Sequence, residues 1–401
     1  MNDEQYGMLR LRPLVIEPGP TTRIDVAEAM RKGRRLRRTR IWSSFTGVFA
    51  VTGVAAVGGA LALASPAPDP GPVLPPDPAL PAACTAVRLP VGGASRASVT
   101  AGDPGGVYAV GTTNPDYEQG KRKVLVWRGG ELVASLSPPG DQAVMYDINA
   151  SGVAVGASDG FGAVPFVYRA GTVTRMKGKG SADAINDAGV VAGTHYRGHA
   201  MVPMRWAGPD AEPELLRLPD GVLEGRTRAL AEDGTVVVEL QGDKAPAPTA
   251  LWLPDGTLQP LPGPGGRLFA GSFFRSGWLY GTLALPVTRS VPPVLSSPDE
   301  NGMRRVERDQ FDTRAHRYHV ASGTWQELPG RAWSGPLEPG DGLNVFIGAG
   351  VLALPEPADK GPDDFFTVSF VSDDGRVAGG RSLSRRADPA HAADPIMWRC
   401  A

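Results

Sequence analysis

The sequence predicts an all-β chain: a β-propeller of six four-stranded blades, with seven as the alternative count. It is expected to follow one N-terminal transmembrane helix and a proline-rich linker. Three observations predict it. A polar turn closing on glycine recurs with a period in the forties, an aromatic strand follows each turn, and a 24-residue uncharged run lies behind a strongly basic tail. Four strands per unit at that period is the signature of propeller blades, and the units are too glycine-rich and β-branched for a helical solenoid.

At the N-terminus, residues 31–40 (RKGRRLRRTR) carry seven positive charges and no acid, and residues 41–64 carry no charge at all. As a helix the uncharged run spans roughly 36 Å, enough for a hydrocarbon core of about 30 Å. Lys and Arg on one side only predict a cytoplasmic tail over 1–40, a helix over 41–64 and everything later outside the membrane. Ala62-Leu63-Ala64 before Ser65 also fits a signal-peptide cleavage site, but the run exceeds a usual h-region, so an uncleaved anchor is expected. Cys84 lies too far beyond the run, past several prolines, to be a lipoprotein cysteine. The span has no G-x-x-x-G spacing, so a monomer is expected.

Charge divides the same way. The chain has a net charge of −1, with ten basic against five acidic residues in the first forty and a balance of −6 in the rest. A short basic tail beside a span reads as membrane electrostatics. The acidic remainder argues against nucleic acid and against a polyanionic ligand.

Residues 65–83 contain eight prolines and are expected to form an extended spacer with no core of its own. Residues 287–313 read as a loop insertion. Between them the repeats are YDINASGVAVG (146–156), DAINDAGVVAG (183–193), ALAEDGTVVVE (229–239), FFRSGWLYG (273–281) and FVSDDGRVAGG (370–380). SVTAGDPGGVYAVG (98–111) is a looser first copy. Turn glycines from Gly106 to Gly277 are spaced 46, 37, 45 and 43 residues apart. Asn, Asp or Ser before Gly permits a tight hairpin, with buried strands on either side. A second glycine follows four residues later at Gly156, Gly193, Gly281 and Gly379.

Aromatic strands follow, with Trp127, Tyr168, Trp206, Trp252, Tyr318 and Trp398 at one equivalent position. A short fourth strand then often closes on Leu-Pro. The last unit lacks its fourth strand after PIMWRCA, whereas CTAVRLPVGG (84–93) has the fourth-strand pattern at the other end of the domain. Borrowing it would close the ring and place Cys84 beside Cys400, the two cysteines of the chain. A disulfide there is expected, because an extracytoplasmic location permits it and so long a loop gives it a large entropic effect. The 98-residue gap from Gly277 to Gly375 leaves the blade count open, since LNVFIGAGVLALPEP (343–357) could supply two more strands.

The pattern A-x-x-I-N-x-x-G-x-V-x-G, an aromatic strand, then L-x-x-L-P-x-G resembles the extracellular HAF repeats of bacteria. Ile148-Asn149-Ala150-Ser151-Gly152 and Ile185-Asn186-Asp187-Ala188-Gly189 carry it best. The family's His-Ala-Phe strand is represented only loosely, by VPFVYR, VPMRWA and PIMWR. The resemblance spans roughly 84–401 and implies a surface or secreted location and a propeller-like fold, with no established activity. The basic leader, single span and Ala/Gly/Pro/Arg-rich composition look actinobacterial.

No motif marks a chemical site. Asp147-x-Asn149-x-Ser151-Gly152 imitates the start of a calcium loop, but Ser158 stands where the bidentate Glu belongs, so a hairpin turn is expected. His195 and His199, four apart, are read as lying in a loop between strands, where the spacing loses its meaning. His316 and His319 point to opposite faces of a strand, and His391 lies in an Ala/Asp/Pro-rich loop. There is no G-x-S-x-G elbow, and Gly263-Pro264-Gly265-Gly266 is not followed by the Lys-Ser or Lys-Thr of a phosphate loop. The repeated Trp and Tyr are expected in the inter-blade core. No catalytic, metal or cofactor residue is therefore predicted. The expected role is a non-enzymatic, membrane-anchored binding module for a surface protein, peptide or glycan. The alternatives are a propeller enzyme with a loop-built site, or a signalling component acting through residues 23–32. The ligand is not specified by the sequence.

Overall fold

In this computed structural model the residues described are 74, 76–94, 96–113, 121–158, 163–198, 200–242, 245, 247–285, 312–331, 343–361, 364–384 and 393–401. The predicted tail and span (1–64), most of the 287–313 insertion, His199 and His391 lie outside them. Among the described residues no helix is long and apolar enough to cross a membrane.

Six four-stranded antiparallel sheets form the blades. Blade 1 is β2 (Ala97–Gly102), β3 (Tyr108–Thr113), β4 (Val124–Arg128) and β5 (Glu131–Leu136). Blade 2 is β6 (Val144–Ile148), β7 (Ala154–Ser158), β8 (Val164–Arg169) and β9 (Thr172–Arg175). Blade 3 is β10 (Ser181–Ile185), β11 (Val191–Arg197), β12 (Ala200–Trp206) and β13 (Pro213–Leu215). Blade 4 is β14 (Glu224–Leu230), β15 (Val236–Gln241), β16 (Thr249–Trp252) and β17 (Leu258–Pro260). Blade 5 is β18 (Phe269–Arg275), β19 (Trp278–Leu285), β20 (Asp312–His319) and β21 (Thr324–Arg331). Blade 6 joins β24 (Asp364–Val371), β25 (Val377–Ser384) and β26 (Ala393–Cys400) to β1 (Cys84–Arg88). The expected closure is thus present. β1 runs antiparallel to β26 with Cys84 opposite Cys400, and the two sulfurs are at disulfide distance, 1.96 Å apart.

The segment between blades 5 and 6 is a hairpin, β22 (Asn344–Ile347) and β23 (Gly350–Ala353), and not a seventh blade. Val345, Phe346 and Ile347 are buried. Ile347 packs with blade 6 through Ile396 and Trp398, and Phe346 packs with blade 5 through Trp278 and Tyr280.

Burial explains the strand chemistry. Second and third strands such as β7 and β4 are buried almost throughout because neighbouring blades cover both faces, whereas the outer β5 alternates exposed and half-buried. The six repeated aromatics are all buried, four of them Trp at 1% exposure or less. Trp127, Trp206 and Trp398 each donate the indole N–H to a backbone carbonyl, of Pro90, Lys177 and Pro355. The Leu-Pro repeat is the other half of that contact at two blades. Leu89 packs against Trp127 and Leu354 against Trp398, and the next residue supplies the carbonyl.

Two expectations need correcting. The end of the linker is docked and does not stand free. Leu74 packs onto the blade 5 and hairpin cluster, and Asp77 grips Arg317 through two bonds of 2.6 and 2.8 Å. The Arg317 side chain is only 3% exposed and lies 4.0 Å above the Trp278 ring, so the carboxylate compensates a desolvated cation. Second, His195 sits within β11 and not in a loop, and its Nδ1 lies 2.8 Å from the Lys179 carbonyl.

Candidate functional site at the channel mouth

The innermost strands, β2, β6, β10, β14, β18 and β24, line the central channel. Each breaks register with its neighbour at one place, and each break skips one residue. The skipped residues are Thr100, Tyr146, Asp183, Arg228, Ser272 and Ser369. A bulge leaves one residue unpaired and re-aims its side chain. All six are polar, and all six line one cavity of about 720 Å³ that opens at the mouth formed by the first-to-second-strand turns.

The second glycine of the repeat belongs to this bulge. A Cβ at Gly156 would stand 2.1 Å from the Val144 carbonyl oxygen, and one at Gly193 only 1.9 Å from that of Ser181. Gly111, Gly281 and Gly380 meet the same obstruction. Gly380, and not the Gly379 expected from spacing, is the equivalent residue in blade 6 because the turn there is one residue longer. Blade 4 has Val238 at this position.

Above the ring, the shared Asn-x-x-Gly motif forms turns, with Gly152 and Gly189 at positive φ. Asn149 accepts the N–H groups of Ser151 and Val153 within its own turn and donates from Nδ2 to the Asn186 carbonyl of the next blade. Asn186 repeats this, accepting from Val190 and donating to the carbonyls of Ala231 and Glu232. Asp147 spends its two oxygens on the N–H groups of Ile148 and Ile185. The calcium-like motif is therefore an inter-blade ladder. Among the described residues no group of three or more His, Cys, Asp or Glu side chains is placed to hold a metal ion.

The mouth is acidic. Asp147, Asp187, Glu232 and Asp373 line it. Burial pushes the Asp147 carboxyl up to about 7; the Ile185 and Ile148 N–H groups oppose the shift, and the charges of Glu232 and Asp187 add to it. Burial also raises Asp183, against hydrogen bonds from Ser181 and Thr194, and raises Asp373, against the nearby Arg275 charge. The Tyr146 phenol is raised by burial, with the Asp183 charge adding to it. Arg275 also lines the cavity; it is 5% exposed, and its guanidinium donates to the carbonyls of Phe346 and Val371.

Of the histidines considered from sequence, His319 lines the cavity, held by Ser322 at 2.8 Å and packed on Trp278. His316 is buried and points elsewhere. The bulge ring was missed by motif reading, although it carried a signal. Each skipped residue lies three positions before the turn residue (Asp103, Asn149, Asn186, Ala231, Arg275 or Ser372) and is polar in every copy.

No protein-family model matches this chain, and no curated protein matches it. Solved structures do share the architecture. A protein from Lactobacillus plantarum is 11% identical, with 72% of this chain and 76% of that one covered and a TM-score of 0.30. The arabinanase Arb43A of Bacillus subtilis is 10% identical, with 79% and 95% covered and a TM-score of 0.28. A Bacteroides ovatus protein assigned as a dipeptidyl aminopeptidase IV is 12% identical, with 58% and 32% covered and a TM-score of 0.25. These likenesses concern the propeller fold alone. They correct one expectation from the sequence: structures of this architecture include enzymes, so the fold gives no ground for calling the chain non-enzymatic.

Proposed function

We propose that residues 41–64 anchor the chain in a membrane with residues 1–40 inside, and that the propeller binds a ligand outside, in the channel-mouth cavity. The HAF-repeat resemblance and the one-sided basic tail support the location. One observation carries the binding reading: the cavity takes one polar, re-aimed residue from each of the six blades. Its volume falls within the ~300–1,000 Å³ typical of small-ligand sites. A bulge leaves one residue unpaired and re-aims it, and in all six blades that residue is polar and lines the cavity.

The test uses Ser272→Cys in intact cells with a membrane-impermeant thiol reagent. Labelling without lysis is the expected result, and labelling only after lysis overturns the topology. Native mass spectrometry of the full chain taken from its own membrane should show a bound small ligand that Ser272→Trp loses. Identical spectra for both would sink the binding reading. A second reading, a propeller enzyme, is favoured by Asp147, whose carboxyl stays largely protonated up to about pH 7, as a general acid requires. Ligand turnover that declines above that pH and vanishes in Asp147→Asn would establish it.

A further inference from the structure

The ring restricts what the cavity can hold. Its members differ in hydrogen-bonding sense. Asp183 only accepts, Arg228 only donates, and Thr100, Tyr146, Ser272 and Ser369 can do both. Both charged members already have a partner within the protein. Arg228 is engaged by Glu239 through two of its nitrogens, the third having no partner among the described residues, and Asp183 accepts from Thr194 at 2.8 Å. Ser369 and Thr100 are turned onto the carbonyls of Val99 and Val110. Ser272 makes no hydrogen bond to any described residue. Tyr146 is 42% exposed, so its ring presents an apolar face beside these polar groups.

We infer that the channel-mouth ligand is a polyhydroxylated, uncharged molecule, the end of a neutral oligosaccharide, held by Tyr146, Asp183, Arg228 and Ser272. This rests on the binding reading above. An ammonium or guanidinium group can donate to Asp183 and to the acidic rim but offers nothing to Arg228, which needs an acceptor. An anion suits Arg228 but meets Asp187, Glu232 and Asp373 at the entrance. A sugar hydroxyl accepts and donates at once, so adjacent hydroxyls can satisfy a carboxylate and a guanidinium in the same ring. The C–H face of a sugar ring suits an exposed phenol that is apolar in body and polar at its tip.

The test is retention of the full chain, in detergent, on an array of neutral oligosaccharides and on an array of lysine-rich peptides. Arg228→Met and Ser272→Val are run beside the wild type, with thermal melting as a fold control. Arg228 is exposed and its loss empties no core, and Ser272→Val suits a strand, so both should melt like the wild type. The expected result is retention on neutral glycans, weakened about tenfold or more by each variant. Retention on lysine-rich peptides alone, weakened by the same variants, overturns the sugar class and keeps the cavity as the site. Glycan retention that both folded variants leave unchanged overturns the ring as the site. Retention on neither array overturns the sugar class, while the binding reading stands or falls on the native mass spectra of the wild type and Ser272→Trp.

Discussion

The seams between blades 2, 3 and 4 and the seam between blades 5 and 6 solve one problem with different residues. In the regular half, the residue three after the bulge is asparagine in blades 2 and 3, and its Nδ2 reaches a carbonyl of the next blade over 3.0–3.2 Å. Between blades 5 and 6 the hairpin intervenes, and the corresponding residue is Arg275. Its longer side chain bonds the Phe346 carbonyl of the hairpin and the Val371 carbonyl beyond it. Outside this joint lies the docked linker through Asp77 and Arg317, and blade 6 itself is closed by the Cys84–Cys400 pair. A repeat can be interrupted if the joint position changes its reach, but the enlarged seam then depends on a few single side chains.

Tests that separate the two halves should begin with the closure. Removing both cysteines by substitution with serine releases a constraint between residues 316 apart in sequence. The chain-entropy description puts that at about 6 kcal/mol, just above the range usual for disulfides. Urea unfolding should show this loss, with the midpoint of the wild type falling to match on reduction. Next comes Arg275→Met, which keeps the bulk of the side chain but strips two buried carbonyls of their donor. It should cost about 3 kcal/mol. A loss below about 1 kcal/mol would mean that the hairpin seals the seam by packing alone.

Acidity should act on the regular half. The carboxyl of Asp147 is raised in the folded state from the usual 3.8 to about 7. Its contribution to stability is therefore complete below about pH 4 and is lost as the pH rises through about 7, because the folded chain holds the proton more tightly. Between pH 5 and 7 this amounts to about 2 kcal/mol of lost stability from this group. Thermal melts across that range should be steeper in pH for the wild type than for Asp147→Asn. Equal slopes would show that the carboxylate is charged in the fold at neutral pH.

Much of the ring was legible because it repeats. Turn glycines, buried aromatics and the displaced fourth strand recur at near-constant spacing, and the cysteines then fall opposite one another. The hairpin was only half legible: 343–357 reads as two strands, but whether two strands make a blade depends on what packs beside them. The linker's docking was hidden because proline content reports chain stiffness, whereas Asp77 binds an arginine 240 residues away. The bulge ring lay in plain view as a polar residue at a fixed offset. It was missed because strand alternation alone does not distinguish a polar residue facing solvent from one turned into a channel. Arg275 stood in a turn copy, FFRSG, at the position of Asn149 and Asn186, and nothing in the sequence marks it as a side chain that reaches across a seam.

The smallest effect is expected from Asn186→Ala. The side chain is 2% exposed and makes three hydrogen bonds, which alone would suggest a large loss. Blade 4 supplies an internal control. Its equivalent residue is already alanine, Ala231, and the turn still closes through the Ala231 N–H to the Thr235 carbonyl and the Gly234 N–H to the Ala231 carbonyl. Asp233 there takes over the side-chain role by accepting the Thr235 N–H. The Asn186 turn has the same backbone bonds, from Asn186 to Val190 and from Gly189 to Asn186. The freed carbonyls of Ala231 and Glu232 lie at the cavity rim, where water can replace the lost donor. About 1 kcal/mol is therefore expected, measured by urea unfolding beside Arg275→Met. The two sites lie in different seams, so the double variant should be additive within about 0.5 kcal/mol. A cost for Asn186→Ala as large as that of Arg275→Met would remove the distinction, since a seam with a rigid interior ladder would then be as dependent on one side chain as the interrupted one.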